Sequence, residues 1–425
     1  MSETAGPESV VPPEGEGVPS VATRFAVYQR LGGILTPFLT ALVAFFIGGL
    51  VVLVTTHKNP FNTYKEIFDG TGLNWFFHVG SYDISLPFSD TRVWFPWDTG
   101  SIPAQNLQQT LIYVVVLILT GLAVAFAFRC GLFNIGGQGQ YIVGMLAAAE
   151  VGISFPGMPK LPHVVLAVAA AALAGAAWGG IAGFLKATVG AHEVITTIML
   201  NWIAIWVVSW LVQAGGPLQD PNPALESVAT TQPVAESGKL PVFWGFPTLQ
   251  GLHVGFFVAL VALVVYWLLL NRTTTGYEVR AVGLNPEAAR YGGISVARNY
   301  FLAMAISGMF AGLAGSMDVL GWLFKVDQTS VTIASQVAFL GIAVALLGRN
   351  GAIGIFFAAL LFGALLTGTS TRNLDPSVFK PELAGNLTRI IQGLVVLFVG
   401  ADLLILYLWQ LRRKLRLPRK EAAEA

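Results

Sequence analysis

Long apolar stretches alternate with short polar segments along most of this chain. A helix needs roughly 20 apolar residues to cross a bilayer, so each charge-free run of about that length predicts a membrane span. The predicted spans are 31–55, 107–128, 131–150, 162–185, 195–213, 251–270, 300–320, 334–348, 352–368 and 387–410. The pattern therefore predicts an all-α polytopic membrane protein with about ten transmembrane helices.

Composition supports this fold class. The 425 residues are 55% apolar and 11% charged, whereas about 25% of the residues in a soluble domain are charged. The net charge of +1 excludes nucleic-acid binding based on bulk charge. The chain has one cysteine, Cys130, which rules out an intramolecular disulfide.

The two ends of the chain differ from the span region. Residues 1–30 are rich in Pro, Gly, Glu and Ser and lack hydrophobic periodicity, which predicts a disordered tail. No secretory signal is evident, and we expect the first apolar run to be retained as a span. The sequence thus predicts a transmembrane domain over 31–410, followed by a basic tail over 411–425.

Basic residues predict the orientation of the spans, because cytoplasmic loops carry more Lys and Arg. The C-terminal tail is placed in the cytoplasm by Arg412, Arg413, Lys414, Arg416, Arg419 and Lys420. With ten spans both termini are cytoplasmic, and alternation places the arginine-containing loop 271–299 on the same side. The loops 56–106, 214–250 and 369–386 then lie outside, and they carry little basic excess.

The outer loop 56–106 is rich in aromatic residues. Interfacial membrane anchors are the default interpretation, and a docking surface for an external partner is the alternative. The residues concerned are Trp75, Phe76, Phe77, Trp94, Phe95 and Trp97.

The cytoplasmic loop 271–299 contains a segment that predicts a short capped helix. Asn285 can accept hydrogen bonds from free helical N–H groups, and Pro286 fits the first turn. Glu287 favours the positive end of the helix dipole, and the glycines at 292 and 293 permit the left-handed residue that ends a helix. A rigid helix in a loop suggests a docking site, and an ordinary capped loop is the alternative.

A second polar segment, Gly131–Gln140, interrupts two apolar runs with four glycines and three amides. Glycine breaks helical continuity, and transporters tend to bind cargo at broken helices near the bilayer middle. Asn134, Gln138 and Gln140 can donate and accept hydrogen bonds without charge, which suits an uncharged polar solute. The alternative is a polar cytoplasmic turn, because Arg129 lies close by.

Glycine also recurs inside and between the spans. Gly175, Gly179 and Gly183 repeat every fourth residue, as do Gly308 and Gly312, and this spacing predicts close helix packing. Another glycine-punctuated stretch, 339–354, follows the first break by about five spans. An odd offset predicts that the two halves are inverted repeats.

Several functional classes lack support in the sequence. No G-x-x-x-x-G-K-[S/T] phosphate loop occurs, and no Cys/His cluster predicts a metal site. Asp318 and Asp402 lie toward span ends, whereas ion-coupled carriers place such acids deep in the membrane. The five histidines are scattered, which argues against an integral-membrane enzyme.

Four segments together carry a family likeness. Gly131–Gln140, Glu193–Asn201, Gly276–Arg290 and Gly341–Asn350 resemble the permease subunits of bacterial nucleoside importers. Those permeases belong to the ATP-binding-cassette superfamily, in the branch shared with ribose and branched-chain amino-acid permeases. The likeness covers roughly 30–410.

The resemblance implies a type II importer permease bundle in a bacterial cell membrane. It implies a second permease, which is often a different chain, and two ATPase modules that are frequently fused. It also implies an extracytoplasmic binding protein that delivers cargo. ATP and Mg²⁺ are bound by the ATPase partner, so no cofactor is expected in this chain.

The resemblance makes the loop 271–299 the coupling loop. Glu287, Ala288, Ala289 and Gly293 match the family's Glu-Ala-Ala…Gly pattern. The predicted coupling residues are Asn285, Pro286, Glu287, Ala288, Ala289, Arg290 and Gly293. Arg290 can pair with acids on the ATPase or act only as a positive-inside anchor.

For the cargo, the resemblance implies nucleosides, with ribose-like sugars as the alternative and a stand-alone carrier or channel as a rival class. Asn134, Gln138 and Gln140 are pathway candidates together with Phe133, which can also be ordinary packing. Asn201 either lines the pathway or hydrogen-bonds a neighbouring helix, and we favour the second. Many relatives carry Glu where this chain has Gln138, so cargo specificity is inferred less directly than transport.

Overall fold

The computed structural model describes residues 41–54, 57, 59–85, 92–245 and 251–370, with residues 386, 389–391, 393, 394 and 397. Its helices are α1 (Ala41–Val54), α2 (Pro60–Gly70), α3 (Ile102–Arg129), α4 (Gly137–Ser154), α5 (Lys160–Val189), α6 (Glu193–Val212), α7 (Gly255–Arg272), α8 (Thr274–Leu284), α9 (Pro286–Tyr291), α10 (Val296–Asp318), α11 (Gln328–Leu347) and α12 (Ala352–Gly368). Two antiparallel hairpins pair β1 (Val79–Ser85) with β2 (Arg92–Trp97) and β3 (Val242–Trp244) with β4 (Leu252–His253).

Six helices in this described part of the chain are long and apolar enough to cross a membrane. They are α3, α5, α6, α7, α11 and α10 extended to Leu323, while α1 and α12 are apolar but shorter. The predicted polytopic helical architecture is confirmed. The count of ten spans stays a prediction, as do the inverted repeats and the tails 1–30 and 411–425, which lie outside the described residues.

Some helix boundaries differ from the predicted spans. The predicted span 131–150 begins six residues late, at Gly137, because Gly131 adopts the left-handed φ of 75° and ends α3. The predicted span 251–270 begins only at Gly255, since β4 precedes it. Helix α10 continues as a π-helix over Val319–Leu323. Hydropathy does not register such backbone detail.

Helix α3 forms the centre of the bundle. All its residues from Val114 to Ala127 are buried, and it packs against α7, α10, α11 and α12. A helix that is apolar on every side is typical of such a position. The C-terminal end of α3 therefore lies where several helices meet.

Glycines bring α4, α5 and α10 into backbone contact, as the four-residue spacing predicts. A Cβ atom on Gly175 would lie 2.8 Å from the Cα of Gly312, and one on Gly179 would lie 3.1 Å from the Cα of Gly308. On α4, Gly144 also contacts the backbone of Gly312. The packing role predicted for the glycines of α5 and α10 is confirmed.

The aromatic residues of the loop 56–106 form a small cap on the N-terminal end of α3. Trp75 is 6% exposed and packs against Trp97 and Trp244 in tilted arrangements, with ring centroids 5.4 and 5.1 Å apart. In contrast, Phe77 and Trp94 are exposed. Internal packing thus accounts for part of this cluster, and both predicted roles of its exposed members stay predictions.

Candidate functional site

The loop between α7 and α10 contains two helices joined by one asparagine. The backbone N–H of Asn285 donates to the carbonyl of Ala281, 3.1 Å away, and closes α8. Its side-chain Oδ1 accepts the N–H groups of Glu287 and Ala288 at 3.0 and 3.1 Å and opens α9. The predicted capped helix is therefore present over Pro286–Tyr291.

Helix α9 ends at one left-handed glycine. Gly293 has a φ of 83°, whereas Gly292 has a φ of −76°. The N–H of Ile294 reaches back to the carbonyl of Ala289 at 2.9 Å. Only the second of the two glycines thus serves the predicted stop, and the short helix is capped at both ends.

The outward surface around α9 carries both charged side chains and large exposed side chains. Glu287 and Arg290 are exposed, while Ala289 is 5% exposed and faces the bundle. Two large side chains near the ends of α9 project into solvent: Leu284, the last residue of α8, at 88% exposure, and Tyr291, the last residue of α9, at 98%. Sequence reasoning missed both, although a large residue near each end of a predicted loop helix was a usable signal.

Helix α8 fixes this surface to the bundle. Gly283 contacts the carbonyl of Arg129, and a Cβ atom on it would lie 2.9 Å from the carbonyl carbon of Cys130. On the other side, Asn299 of α10 is fully buried, and its Nδ2 donates to Glu278 Oε2 of α8 at 3.0 Å. The loop 271–299 therefore touches both the end of α3 and the start of α10.

The break between α3 and α4 is buried and internally hydrogen-bonded. Asn134 has no exposed surface, and its Nδ2 donates to Gln140 Oε1 at 2.8 Å and to Ser307 Oγ at 2.7 Å. Its Oδ1 accepts the N–H of Gly136 at 2.8 Å. A single side chain thus joins the loop, the first turn of α4 and the middle of α10.

Asn201 of α6 binds the same break from the opposite side. Its Oδ1 accepts the N–H of Gly139 at 2.8 Å, and its Nδ2 donates to the carbonyl of Ile135 at 2.9 Å. These contacts agree with the favoured interpretation, in which Asn201 hydrogen-bonds a neighbouring segment. They also satisfy two backbone groups that a broken helix would otherwise leave unpaired.

The other pathway candidates lie around these two asparagines. Gln138 is 6% and Gln140 1% exposed. Phe133 is half-buried and stacks on Phe128 with ring centroids 5.1 Å apart, as ordinary packing would have it. The structure brings the amides of Asn134 and Gln140 together, and the role of all these residues in cargo passage stays a prediction. Ser307 was missed, since nothing in its local sequence indicates a partner 173 residues away.

Asp318 lies near the end of α10, as predicted, but it is buried. Its carboxylate accepts hydrogen bonds from the Tyr141 hydroxyl and from Trp322 Nε1, the latter at 2.9 Å. Among the described residues, no group of three or more His, Cys, Asp or Glu side chains could hold a metal ion.

Comparison with known proteins places this geometry in a family. Residues 106–400 match the family described as "Branched-chain amino acid transport system / permease component". The chain belongs to this family. The permease is therefore a multi-pass membrane transport subunit and not an enzyme.

Three relatives illustrate the range of the family. The guanosine ABC transporter permease protein NupP of Bacillus subtilis is 36% identical over 377 residues, covering 88% of this chain and 95% of its own length. The nucleoside ABC transporter permease protein NupB of Lactococcus lactis is 30% identical, covering 92% and 95%. The glucose ABC transporter permease protein TsgB13 of Haloferax volcanii is 33% identical, covering 86% of each chain. No solved structure gives a significant match.

Proposed function

We propose that this permease forms the translocation pathway of an ATP-driven nucleoside importer. The names of the relatives NupP and NupB, which specify guanosine and nucleosides, support the cargo. The observation that carries ATP-driven coupling is helix α9, which is capped at both ends, anchored to the bundle and exposed outward.

The exposed surface of α9 suits docking onto a cytoplasmic ATPase. Aromatic and arginine side chains supply much of the binding energy at protein interfaces, and Tyr291 and Arg290 offer that chemistry on a rigid helix. Glu287 adds a negative charge beside Arg290, which sets the orientation of a partner with matching charges. ATP and Mg²⁺ are bound by the ATPase in this proposal, and this chain needs no cofactor.

The proposal includes three further features of the assembly. A second permease, a homologous but different chain, completes the pathway across the bilayer. An extracytoplasmic binding protein delivers cargo to the face opposite α9. Both termini lie in the cytoplasm of a bacterial cell, in agreement with the basic residues of the tail and of the loop 271–299.

Transport requires that ATP binding favours one state of the bundle over another. A ligand shifts such an equilibrium only through its different affinity for the two states. Helix α9 moves as a rigid body with α8, because Asn285 caps both helices. Contacts of α8 with the ends of α3 and α10 then pass this motion into the membrane.

Cargo selection is assigned to the break between α3 and α4. Asn134, Gln138, Gln140 and Asn201 supply uncharged donors and acceptors for a ribose or a base, and Phe133 supplies an aromatic face. In the described state Asn134, Gln140 and Asn201 bond to the protein itself. Cargo must therefore replace some of these contacts in another state of the cycle.

Reconstituted uptake tests the proposal. The chain is purified with its natural ATPase and permease neighbours and its binding protein, and ATP-dependent uptake of labelled guanosine is compared with that of labelled glucose and ribose. We expect nucleoside accumulation. A preference for a sugar would mean that the importer carries sugars and not nucleosides. The relative TsgB13, which is named for glucose, makes this a specific alternative. Uptake without any ATPase would instead indicate a stand-alone carrier.

The same vesicles test the docking surface. Tyr291→Ala removes the fully exposed ring beside α9, and we expect at least a fivefold loss of uptake with the purified chain still folded. Tyr82→Ala removes an exposed tyrosine from β1, which lies outside the loop 271–299, and serves as the matched control. Equal uptake by the two variants would mean that α9 is an ordinary capped loop.

A further inference from the structure

The turn between α11 and α12 has an unusual backbone. Arg349 and Asn350 are both left-handed, with φ values of 50° and 54°. An L-residue rarely adopts this conformation, and two in succession are disfavoured by local sterics. Backbone hydrogen bonds hold the turn locally, among them the bond from the N–H of Asn350 to the carbonyl of Ala345 at 2.9 Å, and contacts from outside the turn add to them.

Two side chains from other helices bind the carbonyl oxygen of Asn350. Arg129, the last residue of α3, donates from Nε at 3.3 Å and from Nη2 at 2.8 Å. Tyr266 of α7 donates from its hydroxyl at 2.8 Å. Because the acceptor is the carbonyl of a left-handed residue, both donors stabilise this shape of the turn.

Arg129 also lies against the coupling loop. Its own carbonyl contacts Gly283 of α8, where a Cβ atom would lie 3.0 Å from the Arg129 carbonyl carbon. The main chain of Arg129 thus touches α8, while its side chain holds a turn 221 residues further along the chain.

We propose that Arg129 is a positioning residue that transmits movement of the coupling loop to the α11–α12 turn. This inference rests on the proposed ATP-driven function. Displacement of α8 pushes on the end of α3, and the guanidinium carries that displacement to Asn350. The planar guanidinium reaches the carbonyl through two N–H groups, so it resists rotation better than the single ammonium of a lysine.

Substitution of Arg129 tests the proposal with two measurements on the assembled transporter. The first is nucleoside taken up per ATP hydrolysed, and the second is hydrogen exchange over residues 345–352, which requires no transport. For Arg129→Gln we expect at least a fivefold lower ratio and at least tenfold faster exchange in the turn. Arg129→Lys should recover part of both effects. Lys160→Gln removes an exposed charge from the start of α5, outside the loop 271–299, and should leave both within twofold of wild type.

Each alternative outcome is decisive. Unchanged exchange in Arg129→Gln would show that the guanidinium does not hold the turn. Faster exchange with an unchanged ratio would show that the contact is structural and transmits nothing, and both results overturn the proposal. If the wild-type assembly shows no ATP-dependent uptake, the proposed function itself fails and the transmitting role falls with it, while the exchange measurement still reports on the contact.

Discussion

The break between α3 and α4 and the loop 271–299 use the same chemistry in opposite environments. Asn134 and Asn285 each accept the N–H of the residue two positions later through Oδ1. Asn134 is fully buried and spends its remaining hydrogen bonds on other helices, whereas Asn285 is exposed and bonds only locally. Burial therefore makes Asn134 a link between helices, whereas Asn285 only supports a solvent-exposed surface.

The two asparagines provide the largest expected contrast. Asn134→Ala leaves buried polar partners unsatisfied at about 1–3 kcal/mol each, so we expect a loss of roughly 3 kcal/mol in the free energy of unfolding. Asn285→Ala removes an exposed cap at about 1 kcal/mol. Thermal unfolding of the purified variants in detergent measures both. Equal destabilisation by the two substitutions would contradict this difference between the buried and the exposed asparagine.

A pair of glycines gives the next contrast. On Gly139, a Cβ atom would lie 3.0 Å from Asn201 Oδ1 and 3.1 Å from the carbonyl oxygen of Leu200, so we expect Gly139→Ala to cost about 1–3 kcal/mol. On Gly292, which has an ordinary φ, a Cβ atom would make ordinary van der Waals contacts, 3.5 and 3.6 Å from the carbonyl oxygens of Ala289 and Ala288. Gly292→Ala should therefore be neutral or stabilise by about 0.4–1 kcal/mol. The same unfolding assay compares the two, and destabilisation by Gly292→Ala would contradict the geometry.

Gly293 tests the stop of α9 with a smaller effect. Its φ of 83° disfavours an L side chain, so Gly293→Ala should lower the free energy of unfolding by about 1–2 kcal/mol. Gly293→Asn should cost less, because asparagine tolerates the left-handed region better than alanine. Equal unfolding temperatures for the two variants would show that the helix end relaxes without strain.

Glu287 should show the smallest effect on stability. Glu287→Gln removes a favourable charge from the first turn of an exposed helix, at about 0.3–1 kcal/mol. If α9 docks onto an ATPase, nucleoside uptake per ATP should nevertheless fall severalfold. Glu226→Gln, at an exposed position between α6 and α7, is the control for loss of one carboxylate. Full transport activity of Glu287→Gln would show that this carboxylate does not contribute to docking.

Local patterns in the sequence predicted the features that neighbouring residues decide. Apolar runs predicted the helices of the bundle, and the Asn-Pro-Glu segment with its glycines predicted α9 almost to the residue. The four-residue glycine repeat predicted close packing of α5 and α10 without naming the contact. Hydropathy, caps and glycine spacing each act within a few turns of helix, and they are therefore visible in one stretch of chain.

Only the tertiary structure decided which distant groups meet. Ser307 completes the bonds of Asn134, and Arg129 reaches Asn350, across separations of 173 and 221 residues. Exposure of Leu284 and Tyr291 likewise depends on where α8 and α9 rest against the bundle. The sequence by itself determined a helical membrane protein with a capped loop helix, because these depend on local free energies. The pairing of polar groups depends on how the helices pack. A buried amide is almost always hydrogen-bonded, and the packing of the helices decides which partner lies within reach.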